Sequence, residues 1–173
     1  SSHRLHAGEL QIECRFCHSA AEHGRHAGIP STDVCMKCHK FVTSSFDVLQ
    51  EEIALADKEN RQPEQIVSDQ LRAFYDAIDL KNPQEQNADT ELKSIPWVRV
   101  HNLPDYVYFD HRAHVAAGVS CQKCHGPVES MERVRHFETL SMGWCVNGHR
   151  ETTEKGIESR KVHASTDCAV CHY

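Results

Sequence analysis

Apolar side chains recur at helical spacing in two stretches of this chain. Val42, Phe46, Leu49 and Ile53, with Ser45 among them, fall on one face of a helix. Ile66, Leu71, Phe74, Tyr75 and Ile78 form a second such stripe. Two amphipathic helices are therefore predicted, their apolar faces packed on each other or on the edge of a cofactor. The polar run from Asn82 to Glu91, NPQEQNADTE, predicts a surface loop. Ile95 to Phe109 mixes β-branched and aromatic residues with Pro96 and Pro104, which predicts extended chain and one short strand pair. Helices and loops are expected elsewhere, so the fold class is mostly α and irregular, with little β.

Composition shows that these elements cannot bury much by themselves. The 173 residues are 39% hydrophobic and only 7% aromatic, which makes a thin core for one domain. The formal net charge of -6 excludes a general nucleic-acid-binding role. No stretch is apolar for long enough to span a bilayer, and no signal peptide is present. The chain is read as mature or truncated at its N-terminus.

Cysteine spacing supplies what composition lacks. Cys-x-x-Cys-His occurs four times, as CRFCH (14 to 18), CMKCH (35 to 39), CQKCH (121 to 125) and CAVCH (168 to 172), with a near-copy, CVNGH, at 145 to 149. Two cysteines three positions apart can add across both vinyl groups of one haem, and the histidine that follows faces the iron. Zinc sites and redox dithiols also use paired cysteines, but neither requires a histidine directly after each pair. The attachment residues are Cys14, Cys17, Cys35, Cys38, Cys121, Cys124, Cys145, Cys168 and Cys171, and the proximal ligands are His18, His39, His125, His149 and His172. All nine cysteines are thereby used, leaving none for a disulfide. Five haem c groups are expected, and the polypeptide is largely a wrapper around them. At the fourth position in sequence Gly148 replaces the second cysteine, so that haem is expected to hang from Cys145 by a single thioether. The alternative is that Gly148 is a misassigned cysteine, since the two codons differ by one base.

The chain also repeats itself. HRLHAGELQIECRFCH (3 to 18) and HRAHVAAGVSCQKCH (111 to 125) share an H-R-x-H opening before a haem motif, and each is followed by another haem motif. The predicted organisation is a two-haem module at 1–45, a haem-free helical insert and loop at 46–95, and a three-haem module at 96–173, together one compact unit. A low-spin electron-transfer haem needs a second axial ligand. Nine of the fourteen histidines lie outside the motifs. His3, His6, His111 and His114 are the best candidates, because an HxxH pair upstream of a haem motif is the ligand arrangement of class III cytochromes c, the two histidines serving different haems. The fifth ligand is His163, His26 or Met142.

Several stretches together, HAGIPSTDVCMKCHK, IPWVRVHNLPDYVYFDH, HVAAGVSCQKCHGPVE and MGWCVNGHRE among them, resemble the pentahaem c-type cytochrome subunit of bacterial alternative complex III. The likeness covers most of the chain outside the 46–95 insert. It departs at Gly148, where that family has cysteine, and in lacking that family's N-terminal membrane helix. The resemblance implies a membrane-bound quinol oxidoreductase at the periplasmic face of the inner membrane. Its other subunits are a monohaem cytochrome, an iron-sulfur subunit and multispanning subunits. Quinol oxidation would not occur on this chain, which has no catalytic residues of its own. Electrons would pass from haem to haem toward a soluble cytochrome, a blue-copper protein or a terminal oxidase. Two rivals stand beside it: a stand-alone periplasmic multihaem carrier, and a multihaem reductase enzyme with an open coordination position.

Overall fold

The computed structural model describes residues 2–87 and 89–172. Among these residues eight α-helices punctuate irregular chain: α1 Cys14–Cys17, α2 Thr32–His39, α3 Phe46–Glu59, α4 Asp69–Ala77, α5 His111–Ala117, α6 Gln122–His125, α7 Met142–Lys155 and α8 Cys168–Cys171. Arg4–Glu9 forms a π-helical turn, and Ser19–Glu22, Pro83–Glu85 and Val128–Ser130 form 3-10 turns. Among the described residues the only β pairing is an isolated bridge between Ile157 and Arg160. The two residues it encloses, Glu158 and Ser159, both have positive φ, as a tight two-residue turn demands. The chain is mostly α and irregular, with little β.

Backbone contacts divide the chain into two compact units. One joins Ser1–Ile29 to Val98–Tyr173, and the other is Pro30–Trp97. This partition cuts across the order of modules along the sequence. Its cause is Met36, inside the second haem motif, which is 4% exposed and clusters with Tyr75, Ile78 and Leu80. The motif on α2 thus packs with the helical insert.

In the Pro30–Trp97 unit both predicted helices form, but they bury differently. The α4 stripe behaves as its spacing predicts: Tyr75 and Ile78 are buried, with Leu71 and Phe74 packed against them. Ser68 caps α4 by accepting from the Leu71 N–H. On α3 the stripe is largely exposed, Phe46 at 78%, and the fully buried residue is Ala56. Two backbone-directed bonds tie the linkers together: buried Thr43 donates its hydroxyl to the Ile66 carbonyl at 2.6 Å, and the Ser68 N–H donates to the Thr43 carbonyl at 2.9 Å. The polar stretch from Asn82 is a loop with an anchor, since Pro83 is fully buried; Ala88 lies outside the described residues.

The unit made from both chain ends has little apolar core. Its buried hydrophobic residues, among those described, are Ala21 and Met131. Close backbone approaches hold it instead. The Arg4 N–H donates to the Met131 carbonyl at 3.0 Å where the π-helical turn meets Val128–Ser130, and a Cβ on Gly8 would lie 2.3 Å from the Glu129 carbonyl oxygen. His111 and Arg112, opening α5, donate their N–H groups to the Arg25 and Gly24 carbonyls. The expected strand pair in 95–109 does not form. Pro96 and Pro104 remove ladder donors, and the Tyr108 N–H is taken by the Cys171 carbonyl at 2.8 Å.

Candidate haem-attachment sites

Helical geometry explains the attachment motif. Residues i, i+3 and i+4 share a helix face, so the two thiols and one imidazole of each complete motif, and Cys145 and His149 of the fifth, project to the same side. At three motifs the histidine N–H closes the turn onto the first cysteine: His18 to the Cys14 carbonyl, His125 to Cys121 and His172 to Cys168, at 2.9 to 3.0 Å. At the other two sites the motif lies within a longer helix, α2 or α7. The α7 N-terminus is fixed by the Ser141 hydroxyl, which accepts from the Trp144 N–H, and α8 by the Asp167 carboxylate, which accepts from Ala169.

Each proximal imidazole but one is oriented by a backbone carbonyl. The Nδ1 of His18 donates to the Gly28 oxygen at 2.7 Å, that of His39 to Val42 at 2.9 Å, that of His149 to Ser165 at 2.5 Å and that of His172 to Tyr106 at 3.1 Å. A carbonyl can only accept, so the proton resides on Nδ1 and the Nε2 lone pair is left for a metal. His6, His111 and His114 carry the same signature, donating Nδ1–H to the Ser2, Arg25 and Asp110 oxygens at 2.8 to 2.9 Å. Tyr75 adds a second fastening at the His39 motif, its hydroxyl donating to the His39 carbonyl at 2.6 Å. His125 is the exception among the described residues.

Three proximal imidazoles face a second imidazole across a fixed gap. His3 and His18 have ring centres 6.3 Å apart and planes within 8° of parallel. His111 and His125 repeat this at 6.3 Å and 10°, and His114 and His149 lie at 6.1 Å with a 40° tilt. Two imidazoles on opposite sides of one metal, each nitrogen about 2 Å from it, hold their ring centres about 6 Å apart. The two histidines of the second HxxH pair thus face different motifs, His111 the one directly after it and His114 the next. His3 Nδ1 is buried without a hydrogen-bond partner. His26, His163 and Met142 are exposed, Met142 at 71%; His163 lines a cavity of about 290 Å³ with Arg150, Thr153, Glu154, Ala164 and Thr166. The site also contains a residue the sequence left in the general pool. His101 has its Nε2 buried without a partner and touches both His125 and His136.

Electrostatics reports how closely the motifs approach. Burial, followed by the neighbouring imidazoles of His101, His111, His18 and His136, pushes His125 down to about 4. Burial also raises the thiols of Cys14, Cys124 and Cys145, each reinforced by a thiol from another motif: Cys121, Cys145 and Cys171 respectively. The Cys14 and Cys121 thiols lie close together.

The residues present fit haem better than a bare metal. Among the described residues no three Cys, His, Asp or Glu side chains converge as a metal-ion site. Large apolar side chains stand open beside the motifs, among them Phe16, Phe41, Phe137 and Val170. Bulky apolar groups tethered at those motifs would cover them. Gly148 lies on α7 beside a cavity of about 210 Å³, and a Cβ built there meets no atom within 4 Å.

Comparison with known proteins gives the same chemistry. Residues 107–173 match the family described as cytochrome c7 and related cytochrome c. Over 191 aligned residues the chain is 27% identical to the multihaem cytochrome c subunit of menaquinone reductase from Nitratidesulfovibrio vulgaris (strain Hildenborough), covering 99% of this chain and 74% of that one. Motif spacing, paired imidazoles and both similarities support a multihaem cytochrome c electron carrier.

Proposed function

We propose that this chain is the electron-transfer subunit of a membrane quinol:electron-acceptor oxidoreductase of the alternative complex III kind, at the periplasmic face of the inner membrane, with five haems and no substrate site of its own. The observation that carries the electron-transfer role is the opposed imidazole pairs. His3 with His18, His111 with His125 and His114 with His149 would each hold one haem between two imidazoles, with no room left there for a substrate. A haem supplies one-electron oxidation and reduction at its iron. The protein contributes the tethers, the two-sided ligation and the Nδ1–carbonyl bonds that hold each imidazole still through a change of charge. His6 is the fourth distal ligand in this reading, and the fifth comes from His163, His26 or Met142.

The thiol neighbours define a route. Cys14 lies by Cys121, Cys124 by Cys145 and Cys145 by Cys171, so the first, third, fourth and fifth motifs in sequence run in one row. Electrons would follow that row toward a soluble cytochrome, a blue-copper protein or a terminal oxidase. The relative is named for menaquinone reduction, which favours a second reading in which the same row delivers electrons to a quinone-reducing complex.

Among the described residues no helix is long and apolar enough to cross a membrane, so association with a complex is tested by purification. Solubilising native membranes in mild detergent should bring down iron-sulfur, monohaem cytochrome and multispanning subunits with this chain. Recovery alone from the soluble periplasm makes it a diffusing carrier. The reduced protein should not bind carbon monoxide readily; rapid stoichiometric binding would overturn the carrier role in favour of a reductase.

A further inference from the structure

We infer that Tyr75 is a positioning residue for His39, and that α4 with the linker before it orients the proximal ligand of the second motif. The inference rests on the haem-attachment reading of the 35–39 motif. Residues 46–95 carry neither cysteine nor histidine, yet both ends of His39 are fastened from there. The ring end comes first. His39 Nδ1–H donates to the Val42 oxygen at 2.9 Å, and an acceptor orients a ring only if the acceptor is itself fixed. Thr43, next in the chain and 3% exposed, supplies that fixing. Its hydroxyl donates to the Ile66 carbonyl at 2.6 Å, and its carbonyl accepts the Ser68 N–H at 2.9 Å. Ser68 is the cap of α4.

The backbone end is held by α4 itself. His39 is the last residue of α2, where carbonyls lack donors within the helix, and the Tyr75 hydroxyl donates to the His39 carbonyl at 2.6 Å. Tyr75 is 3% exposed and clusters with Met36 of the same motif. Its neighbour Phe74 meets the His39 ring with centres 5.9 Å apart and planes at 55°. Burial pushes the Tyr75 phenol above its ordinary value, so the hydroxyl keeps the proton it donates. The bond also has an electrostatic effect. Carbonyls at a helix C-terminus carry partial negative charge, and this one belongs to the residue that faces the iron. The phenolic proton offsets that charge; without it the oxidised, more positive iron is favoured. Hydrogen bonds around a ligand tune a haem's potential in this way.

The test is a spectroelectrochemical titration of the purified holoprotein, wild type against Tyr75→Phe and Ile78→Val, after haem-peptide mass spectrometry of all three. Tyr75→Phe removes the hydroxyl and keeps the ring in the cluster, so one haem should titrate at a lower potential while the others stay unmoved. Ile78 is fully buried in the same cluster. Ile78→Val loosens that cluster without touching the bond and should leave every potential at its wild-type value. Unchanged potentials in Tyr75→Phe overturn the proposal. An equal shift in Ile78→Val also overturns it, because packing is then the cause. A Phe variant that fails to accumulate, or that loses its haem at Cys35 and Cys38, overturns it in favour of a purely structural tyrosine. A wild-type 35–39 peptide without haem refutes the attachment reading itself, and the role of Tyr75 with it.

Discussion

At the scale of single residues, attachment chemistry is legible because it is local: two thiols and an imidazole on one helical turn need no tertiary information. Candidate distal ligands are only half legible. The HxxH spacing singles out His3, His6, His111 and His114, but which motif each faces depends on how separate segments meet. His101 had no spacing signal at all; its place became visible only through a buried, unpartnered nitrogen. Met36 was equally silent, a filler position in the CMKCH motif that proves to be core. Gly148 makes a test at this scale. Nothing lies within 4 Å of a Cβ there, and a glycine inside a helix costs about 1 kcal/mol relative to alanine. Gly148→Cys should therefore be accepted without loss of fold and should add a second thioether. The α-band of the pyridine haemochrome should shift to the blue as the remaining vinyl is saturated, and haem-peptide mass spectrometry should show both cysteines modified.

At the scale of elements, periodicity located α3 and α4 but could not tell which stripe would be buried. The α4 stripe meets Met36 and Leu80, while Phe46 and Ile53 on α3 remain exposed. The 95–109 segment had strand-like composition, yet its backbone donors and acceptors are claimed by distant segments: Val107 accepts from the Arg25 guanidinium and the Tyr108 N–H goes to Cys171. The end of α3 carries a polar clasp. Arg61 donates to both Glu52 carboxylate oxygens, at 2.5 and 3.2 Å, and to Glu59 at 2.6 Å, while the Glu64 N–H donates to Glu52 at 2.7 Å. The Arg61 and Glu64 donors hold the Glu52 carboxyl below its ordinary value of 4.5. A carboxyl depressed in the folded state stabilises above its unfolded pKa and loses that contribution as pH falls through the folded one. Denaturant midpoints of the Glu52→Gln protein should lie below wild type at neutral pH. The gap should close as pH drops below about 4.5; a gap constant across that range would rule the clasp out.

At the scale of the whole molecule, stability is unevenly supplied. The Pro30–Trp97 unit has a hydrophobic cluster of its own, whereas the unit built from both chain ends buries little apolar side chain among its described residues. Protein produced without haem attachment should accordingly split in limited proteolysis. A fragment spanning roughly 30–97 should persist longest, and the flanking segments should be cut first. Equal digestion throughout would mean that the insert also depends on cofactor for its order.

The joining of residues 1–29 to 98–173 has a consequence in time. The carbonyls of Gly24 and Arg25 wait for His111 and Arg112, and Tyr108 waits for Cys171 near the end of the chain. While the protein is being made, its first motif cannot complete its native surroundings. Those early thiols stay open to modifying enzymes until the last motif has emerged, so tethering can precede compaction and the order of biogenesis is written into the connectivity.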